Sequence, residues 1–251
     1  MENQTLAFAE RTLRDHLALL PKGWGRNFEI ATGLFGGGDY SYCVRDGKAR
    51  FTGSTPGNVL LGVYDYLRSI GFVFLYPGKG GTYVPDLRKP EDLEAEKKAF
   101  TASYAHRGIC IEGADSLEET LDFIDWLPKN GFNAFFLQFQ KPDIFFERWY
   151  LHTYNPSLPP EALTRQQLDG LDRQVEEAMA LRGIRCHRVG HGWTRGQEAA
   201  GGPGGALRQG NPWDGLPSRL AGGRLQQCVY LPGLPEDHGV GPIHRDPQRC
   251  G

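Results

Sequence analysis

Apolar positions along this chain switch between helical and strand spacing in a repeating order, and from Arg107 to Thr194 the order is strand, helix, strand, helix, strand. Ile109-Cys-Ile111 is a short apolar run closed by Glu112-Gly113. Ser116-Leu-Glu-Glu119 follows as a capping box, in which a hydroxyl and a carboxylate satisfy N–H groups that the first turn of a helix leaves open. Leu117, Leu121, Ile124 and Leu127 then fall three or four apart along one helical face, and Asn130-Gly131 supplies the stop. Phe132 to Phe139 is apolar on both faces, which suits a strand of a parallel sheet covered by helices. Thr164-Arg-Gln-Gln167 opens a second helix whose stripe is Leu168, Leu171, Val175 and Met179, Gly183 ends it, and Ile184 to Val189 returns as a third strand. Units of this kind build either a closed barrel or an open doubly wound sheet. The pattern over 101–194 predicts the first three β/α units of an incomplete (β/α) TIM barrel.

Residues 1–100 predict a smaller α+β layer, so the fold class expected for the whole chain is α/β. Leu6, Ala9, Leu13, Leu17 and Leu20 share one side of a first helix. Phe28 to Ala31 reads as a strand, and Tyr40 to Val44 and Ala49 to Thr52 read as two strands joined at Asp46-Gly47, a pair that favours positive φ. Ser54 and Pro56 suit the N-cap and first turn of a second helix, with Leu60, Val63, Leu67 and Ile70 as its stripe and Gly71 as its stop. Phe72 to Leu75 resumes a strand. The polar run from Asp86 to Lys98 reads as a linker or short surface helix.

After Thr194 the sequence changes character. Residues 195–251 are dense in Gly, Pro, Arg and Gln, no Lys follows Lys141, and periodicity is absent except at Cys228-Val-Tyr-Leu231. Such a composition cannot readily offset the ordering entropy of a fold. This segment is expected to be an irregular tail, either an out-of-frame read of GC-rich DNA or a genuine disordered extension. Translating the other two frames separates the two.

Composition excludes several classes. The net charge is −2 over 251 residues, and Lys and Arg are scattered, so no basic field is set up for nucleic acid or an anionic membrane. No apolar run is long enough to span a bilayer and no secretory signal is visible, so the chain as written is expected in the cytoplasm. Five cysteines without Cys-x-x-Cys spacing favour thiols over a disulfide framework or zinc knuckle. The Gly36-Gly-Gly38 run lacks the Gly-Lys-Ser/Thr of a phosphate loop, and no cofactor is expected.

Several stretches carry a resemblance. Asn58-Val-Leu-Leu-Gly-Val-Tyr-Asp-Tyr-Leu67 with Gly71, Pro77-Gly78 and Val84-Pro85 resembles the helix and following strand of the non-catalytic domain that precedes the barrel in family 20 β-N-acetylhexosaminidases and family 67 α-glucuronidases. Arg107-Gly108 with Glu112 is similar to the Arg-Gly-x-x-x-Asp motif that opens the family 20 barrel, with Glu in place of Asp. Asn130-Gly-Phe-Asn133 resembles the start of that family's second strand, and Gly190-His191 its Pro-Gly-His turn, with Val189 where the Pro would be. The resemblance covers residues 1 to 194. It implies a glycoside hydrolase-related protein of carbohydrate metabolism whose catalytic Asp-Glu pair would follow a fourth barrel strand. No fourth strand is found, so the chain is expected to be inactive on glycosides, with no catalytic residue of its own. A non-catalytic carbohydrate-binding or partner-binding module is the alternative.

Candidate substrate-binding residues follow from chemistry and place. Arg107 offers a fork of donors for adjacent sugar hydroxyls and Glu112 an acceptor at the mouth of the first strand, although alternation puts them on opposite faces and an Arg–carboxylate brace fits equally well. The segment Lys141 to Pro160 contains Phe145, Trp149, Tyr150, His152 and Tyr154. Aromatic faces there suit stacking on sugar rings, and aromatics also anchor loops to cores. His191 and Trp193 are expected to line the same pocket, with His187 an inward-facing barrel residue. His187, His191 and Cys186 invite a metal reading, but zinc needs three or four convergent ligands and no metal is expected. Glu118, Glu119, Asp122 and Asp125 read as the solvated face of a helix. An oligosaccharide or glycoside is the expected ligand. The uncovered edge of a three-stranded sheet also points to self-association.

Overall fold

The computed structural model describes residues 2–24, 27–112, 116–139, 146, 157, 159 and 161–190. The expected tail, 195–251, lies outside them, as do Trp149, His152, His191 and Trp193.

The first helix, α1 (Glu2–Leu19), buries the predicted stripe of Ala9, Leu13 and Leu17, and Leu20 just beyond it. Strands β1 (Glu29–Leu34), β2 (Tyr40–Arg45) and β3 (Lys48–Gly53) follow. β2 and β3 form an antiparallel hairpin whose turn residues Asp46 and Gly47 have φ of 51° and 72°, the paired positive values of a tight hairpin turn. β1 lies parallel to β3 on the hairpin's other side. Helix α2 (Pro56–Ser69) is capped by Thr55, whose side chain accepts from the Asn58 amide at 3.2 Å. The cap is thus one residue later than expected. Ser54 instead accepts from the Asn58 side chain at 2.9 Å. Val59, Leu60, Val63, Tyr64, Tyr66 and Leu67 are all buried.

The run expected to be a linker or short surface helix is largely structured, as a short turn and a strand. After the short pair β4 (Val73–Phe74) and β5 (Thr82–Tyr83) comes a 3-10 turn at Pro90–Leu93, and then strand β6 (Ala95–Phe100) along the edge of the sheet. Its polarity hid it. An edge strand with one face in solvent can be rich in charge, and Lys97 keeps its ammonium 5.8 Å from the Tyr42 ring centroid and 5.6 Å from that of Phe100. The sheet order is β1-β3-β2-β6. Tyr40, Tyr42, Val44, Ala49 and Phe51 face α1 and α2 in one core, while Ser41, Cys43, Arg50, Thr52, Glu96 and Lys98 border a shallow groove of about 270 Å³ on the other face.

The second region is a parallel sheet, ordered β7 (Gly108–Glu112), β8 (Ala134–Phe139) and β9 (Arg185–Gly190), with helices α3 (Leu117–Lys129) and α4 (Arg165–Leu181) as its connections. Ser116 caps α3 by accepting from the Glu119 amide at 3.1 Å, and Thr164 and Gln167 form the reciprocal box at the start of α4. Ile124 and Leu127 of α3, Leu168, Val175 and Met179 of α4, and Phe135 and Leu137 of β8 make a second core. Phe146 is buried there too, an anchoring aromatic that the sequence pattern did not single out. Three parallel strands in sequential order are what the described residues form. A closed ring of strands is not among them.

The two regions meet along α1 and α2 on one side and α3 and α4 on the other. Trp126 Nε1 and Asn130 Nδ2 both donate to the Phe74 carbonyl, at 3.1 and 3.3 Å, and Arg68 donates to the Lys129 carbonyl. The Arg182 guanidinium lies 4.8 Å from the Phe8 ring centroid and donates to Asp125 at 2.8 Å. Backbone meets backbone at Gly57 and Gly183: a Cβ on Gly183 would lie 2.5 Å from the Gly57 Cα, so no larger residue fits without displacement.

Candidate functional site

Parallel β/α architecture gives its two sheet edges different work, because loops that bind ligands follow the C-terminal ends of the strands. Here those ends are Glu112, Phe139 and Gly190. Glu112 therefore sits at the C-terminal edge, paired with Gln138. The segments that continue from this edge, 113–115, 140–145 and 191 onward, lie outside the described residues, and with them His191 and Trp193.

Arg107 is at the opposite edge. It precedes β7, its backbone N–H donates to Asn133 Oδ1 at 2.8 Å, and its guanidinium donates to the carbonyls of Gly131 at 3.0 Å and Tyr104 at 2.6 Å. These bonds brace the start of β7 against the turn that leads into β8. The structure therefore separates Arg107 and Glu112 by the length of a strand. The brace uses carbonyls where a carboxylate was expected.

Alternation sorts the remaining side chains by face. Ile109, Ile111, Phe135, Leu137, Ile184 and Cys186 pack toward α3 and α4. Arg188 points the same way and pairs with Asp172 at 3.2 Å and Glu176 at 2.9 Å on α4. Burial raises the Asp172 carboxyl to about 6, Arg188 opposing that rise. A carboxyl raised on folding favours the folded state most at low pH, and that contribution is lost as pH climbs through about 6. Burial likewise lifts the Cys186 thiol to about 11, which keeps it protonated and unreactive at neutral pH.

The face turned away from the helices carries Cys110, Phe136, Arg185 and His187. His187 is 1% exposed and stacks on Phe136 with ring centroids 4.5 Å apart, and His106, just before β7, lies 5.2 Å from it. Arg185 contacts His106 Nε2 at 2.5 Å. Desolvation lowers the His187 pKa below its ordinary 6.5, and the neighbouring His106 and Arg185 act in the same direction. The imidazole is thus held neutral on a face shared with aromatic and basic groups. Gly108 is part of this arrangement, since a Cβ there would come within 2.9 Å of the Phe136 ring and 2.5 Å of the Ala134 carbonyl. Cys186 and His187 point to opposite faces and do not converge, and among the described residues no group of three or more His, Cys, Asp or Glu is placed to hold a metal ion.

His106 and Phe136 were not singled out from sequence. A parity signal was available: Phe136 and His187 sit in register on adjacent strands, but only once the pairing is known. Asp125, assigned from sequence to a solvated helical face, is instead turned to the seam, where Lys129 at 2.6 Å and Arg182 at 2.8 Å hold it. Burial opposes its ionisation, yet those two cations more than offset this and keep its pKa below the usual carboxylate value. No described helix is long and apolar enough to cross a membrane.

The sequence matches no family model and no curated protein. Among solved structures, the chain is similar to a GH138 enzyme targeting pectin rhamnogalacturonan II, at 13% identity and a TM-score of 0.44, over 74% of this chain and 22% of that one. The chain thus spans 22% of that enzyme's length. A likeness of this degree shows neither family nor activity. What the structure itself defines is a mixed α/β protein with an α-covered mixed sheet followed by parallel β/α units.

Proposed function

We propose that this chain is a glycoside hydrolase-related protein in which a non-catalytic α/β head precedes the first three β/α units of a TIM barrel, similar to β-N-acetylhexosaminidases and α-glucuronidases. The observation that carries this is the sequential parallel sheet β7-β8-β9, whose second face holds Phe136 stacked on a buried His187, with Cys110 and Arg185 exposed beside them. A barrel buries that second face inside the ring, which makes sense of apolar and neutral imidazole groups there. The Arg107-Gly108 to Glu112 and Gly190-His191 resemblances support the same frame.

In this frame glycosides bind at the C-terminal edge. Glu112 accepts from a sugar hydroxyl, and Trp149, His152, His191 and Trp193 supply stacking faces and polar edges from the segments that follow the strands. Arg107 serves this edge indirectly, by fixing the register of β7; direct sugar contact would require it to give up the Gly131 and Tyr104 carbonyls. Retaining and inverting glycosidases need two carboxyl groups flanking one bond. No such pair is assigned among the residues of this chain, and the reading proposed for it is binding of glycosides without cleavage.

Calorimetry of the full chain against uronic acids, amino sugars and their short oligosaccharides tests the proposal. Binding that Glu112→Gln weakens supports it, and no heat with any sugar overturns it. Turnover of a chromogenic N-acetylglucosaminide or glucuronide would leave the class standing and overturn the non-cleaving part. The outer edges of β7 and β9 pair with no other strand among the described residues, and self-association through them is the accompanying proposal. A monomer by light scattering at high concentration would refute it.

A further inference from the structure

The seam between the two regions contains a histidine that neither the sheet cores nor the C-terminal edge uses. His16, in the last turn of α1, has Nδ1 2.7 Å from the Thr12 carbonyl. Its ring stands edge-to-face with Tyr64 of α2 at 5.8 Å, Phe72 at 5.7 Å and Phe74 of β4 at 5.6 Å between centroids. The charged groups facing it are Asp15 on its own helix and Asp125 and Lys129 on α3. Tyr64 is the titratable group that α2 brings to it, and the side chains contributed around β4 are apolar. From the α4 end, Arg182 is engaged with Asp125.

A neutral imidazole fits this setting and an imidazolium does not. With Nδ1–H donated to Thr12, an added proton must go to Nε2 of a ring that stands edge-to-face with three aromatic rings. Asp125 is already held by Lys129 and Arg182, and the Phe74 ring already has the Lys129 ammonium 5.7 Å from its centroid. Neither the carboxylate nor that ring is left over to balance a second cation. Burial accordingly holds the His16 pKa below 6.5, and Lys129 acts in the same sense, against the opposing pull of Thr12, Asp125 and Asp15.

We propose that His16 is an acid-sensitive latch, whose protonation loosens the docking of the N-terminal region on α3. Phe74 transmits the change. Its ring touches His16 while its carbonyl receives the Trp126 and Asn130 donors that tie β4 to α3. Repulsion from Lys129 pushes on the same place, because the carbonyl of Lys129 is the acceptor for Arg68. A histidine whose folded pKa is lowered leaves the docked state fully stable above about pH 6.5, and that stability is lost as pH falls toward the folded pKa.

Hydrogen exchange at the Trp126 indole N–H and at the amides of 122–131, in the full chain and corrected for intrinsic rates, tests the latch while NMR follows the His16 ring protons from pH 8 to pH 5. Opening is expected to rise by up to about tenfold per pH unit from about pH 6.5 down to the His16 midpoint, the slope of one linked proton, and to level off below that midpoint. His16→Gln should keep the protection seen at pH 8 and lose the acid-induced rise, and Lys129→Met should move the His16 midpoint upward. Unchanged indole protection while His16 titrates, or the same acid-induced rise in His16→Gln, overturns the proposal. If His16→Gln does not fold, the wild-type curve decides: opening that levels off at the His16 midpoint supports the latch, and a rise that continues below it overturns it.

Discussion

The four-stranded and three-stranded sheets are each covered by helices on one face, and they treat the other face differently. On the N-terminal sheet the uncovered face is Ser41, Cys43, Arg50, Thr52, Glu96 and Lys98, side chains at home in water. On the parallel sheet it is Phe136 and buried His187 beside Cys110 and Arg185. An antiparallel or mixed sheet can end its fold at a solvated face, whereas parallel sheets occur almost only where both faces are covered. The first sheet is therefore complete as a layer, and the second has the makings of an interior surface. That contrast supports the proposal that β7-β8-β9 belongs to a β/α barrel.

Neighbouring phenylalanines give the sharpest way to test the contrast. Phe135 is fully buried against α3 and α4, so Phe135→Ala should cost about 3–5 kcal/mol in chemical denaturation. Gly183→Val comes next, at about 2–4 kcal/mol, because the new side chain meets the Gly57 backbone and Gly183 has a φ of 65°. That variant also asks whether the regions melt together: a single transition shifted downward is expected, and two separated transitions would break the picture of a shared seam. Phe136→Ala should cost only about 1–2 kcal/mol, since its side chain is half-buried and loses mainly the His187 stack. A loss as large as that of Phe135→Ala would show that the second face is already covered.

Acid sharpens the comparison again. His187 belongs to the parallel sheet and its pKa is lowered by burial, so its contribution to stability is full above about pH 6.5 and declines as pH falls through its folded value. His187→Gln should flatten the part of the acid limb, followed by melting temperature against pH, that Asp172 and Asp125 do not explain. At the small end, Cys43→Ser on the solvated face of the first sheet should change stability by no more than about 0.5 kcal/mol.

Much of this fold was legible in the order of residues, because its elements announce themselves locally. The stripe Ala9, Leu13 and Leu17, the Asp46-Gly47 turn, the Ser116 cap and the Thr164–Gln167 box all lie within a few positions of one another, and each appears where the pattern placed it. What the pattern missed depends on partners far along the chain. β6 looks like a polar linker until Tyr42 and Phe100 are seen beneath the stem of Lys97, and Asp125 looks solvated until Arg182 arrives from 57 positions away. The candidate site divides in the same way. Arg107 and Glu112 were grouped by motif spacing, yet a strand's length puts them at opposite edges, the first as a brace and the second at the edge where ligands of β/α proteins bind.

The contact of Gly57 with Gly183 has a consequence for anyone who would re-engineer this molecule. A donor head taken from a different protein could reproduce the sheet and both helices and still be refused, unless its second helix began with a residue bare enough to let the foreign backbone slide in beside Gly183. Compatibility between the two regions would then be decided by two hydrogen atoms, one on each side, where any methyl would stand in the way.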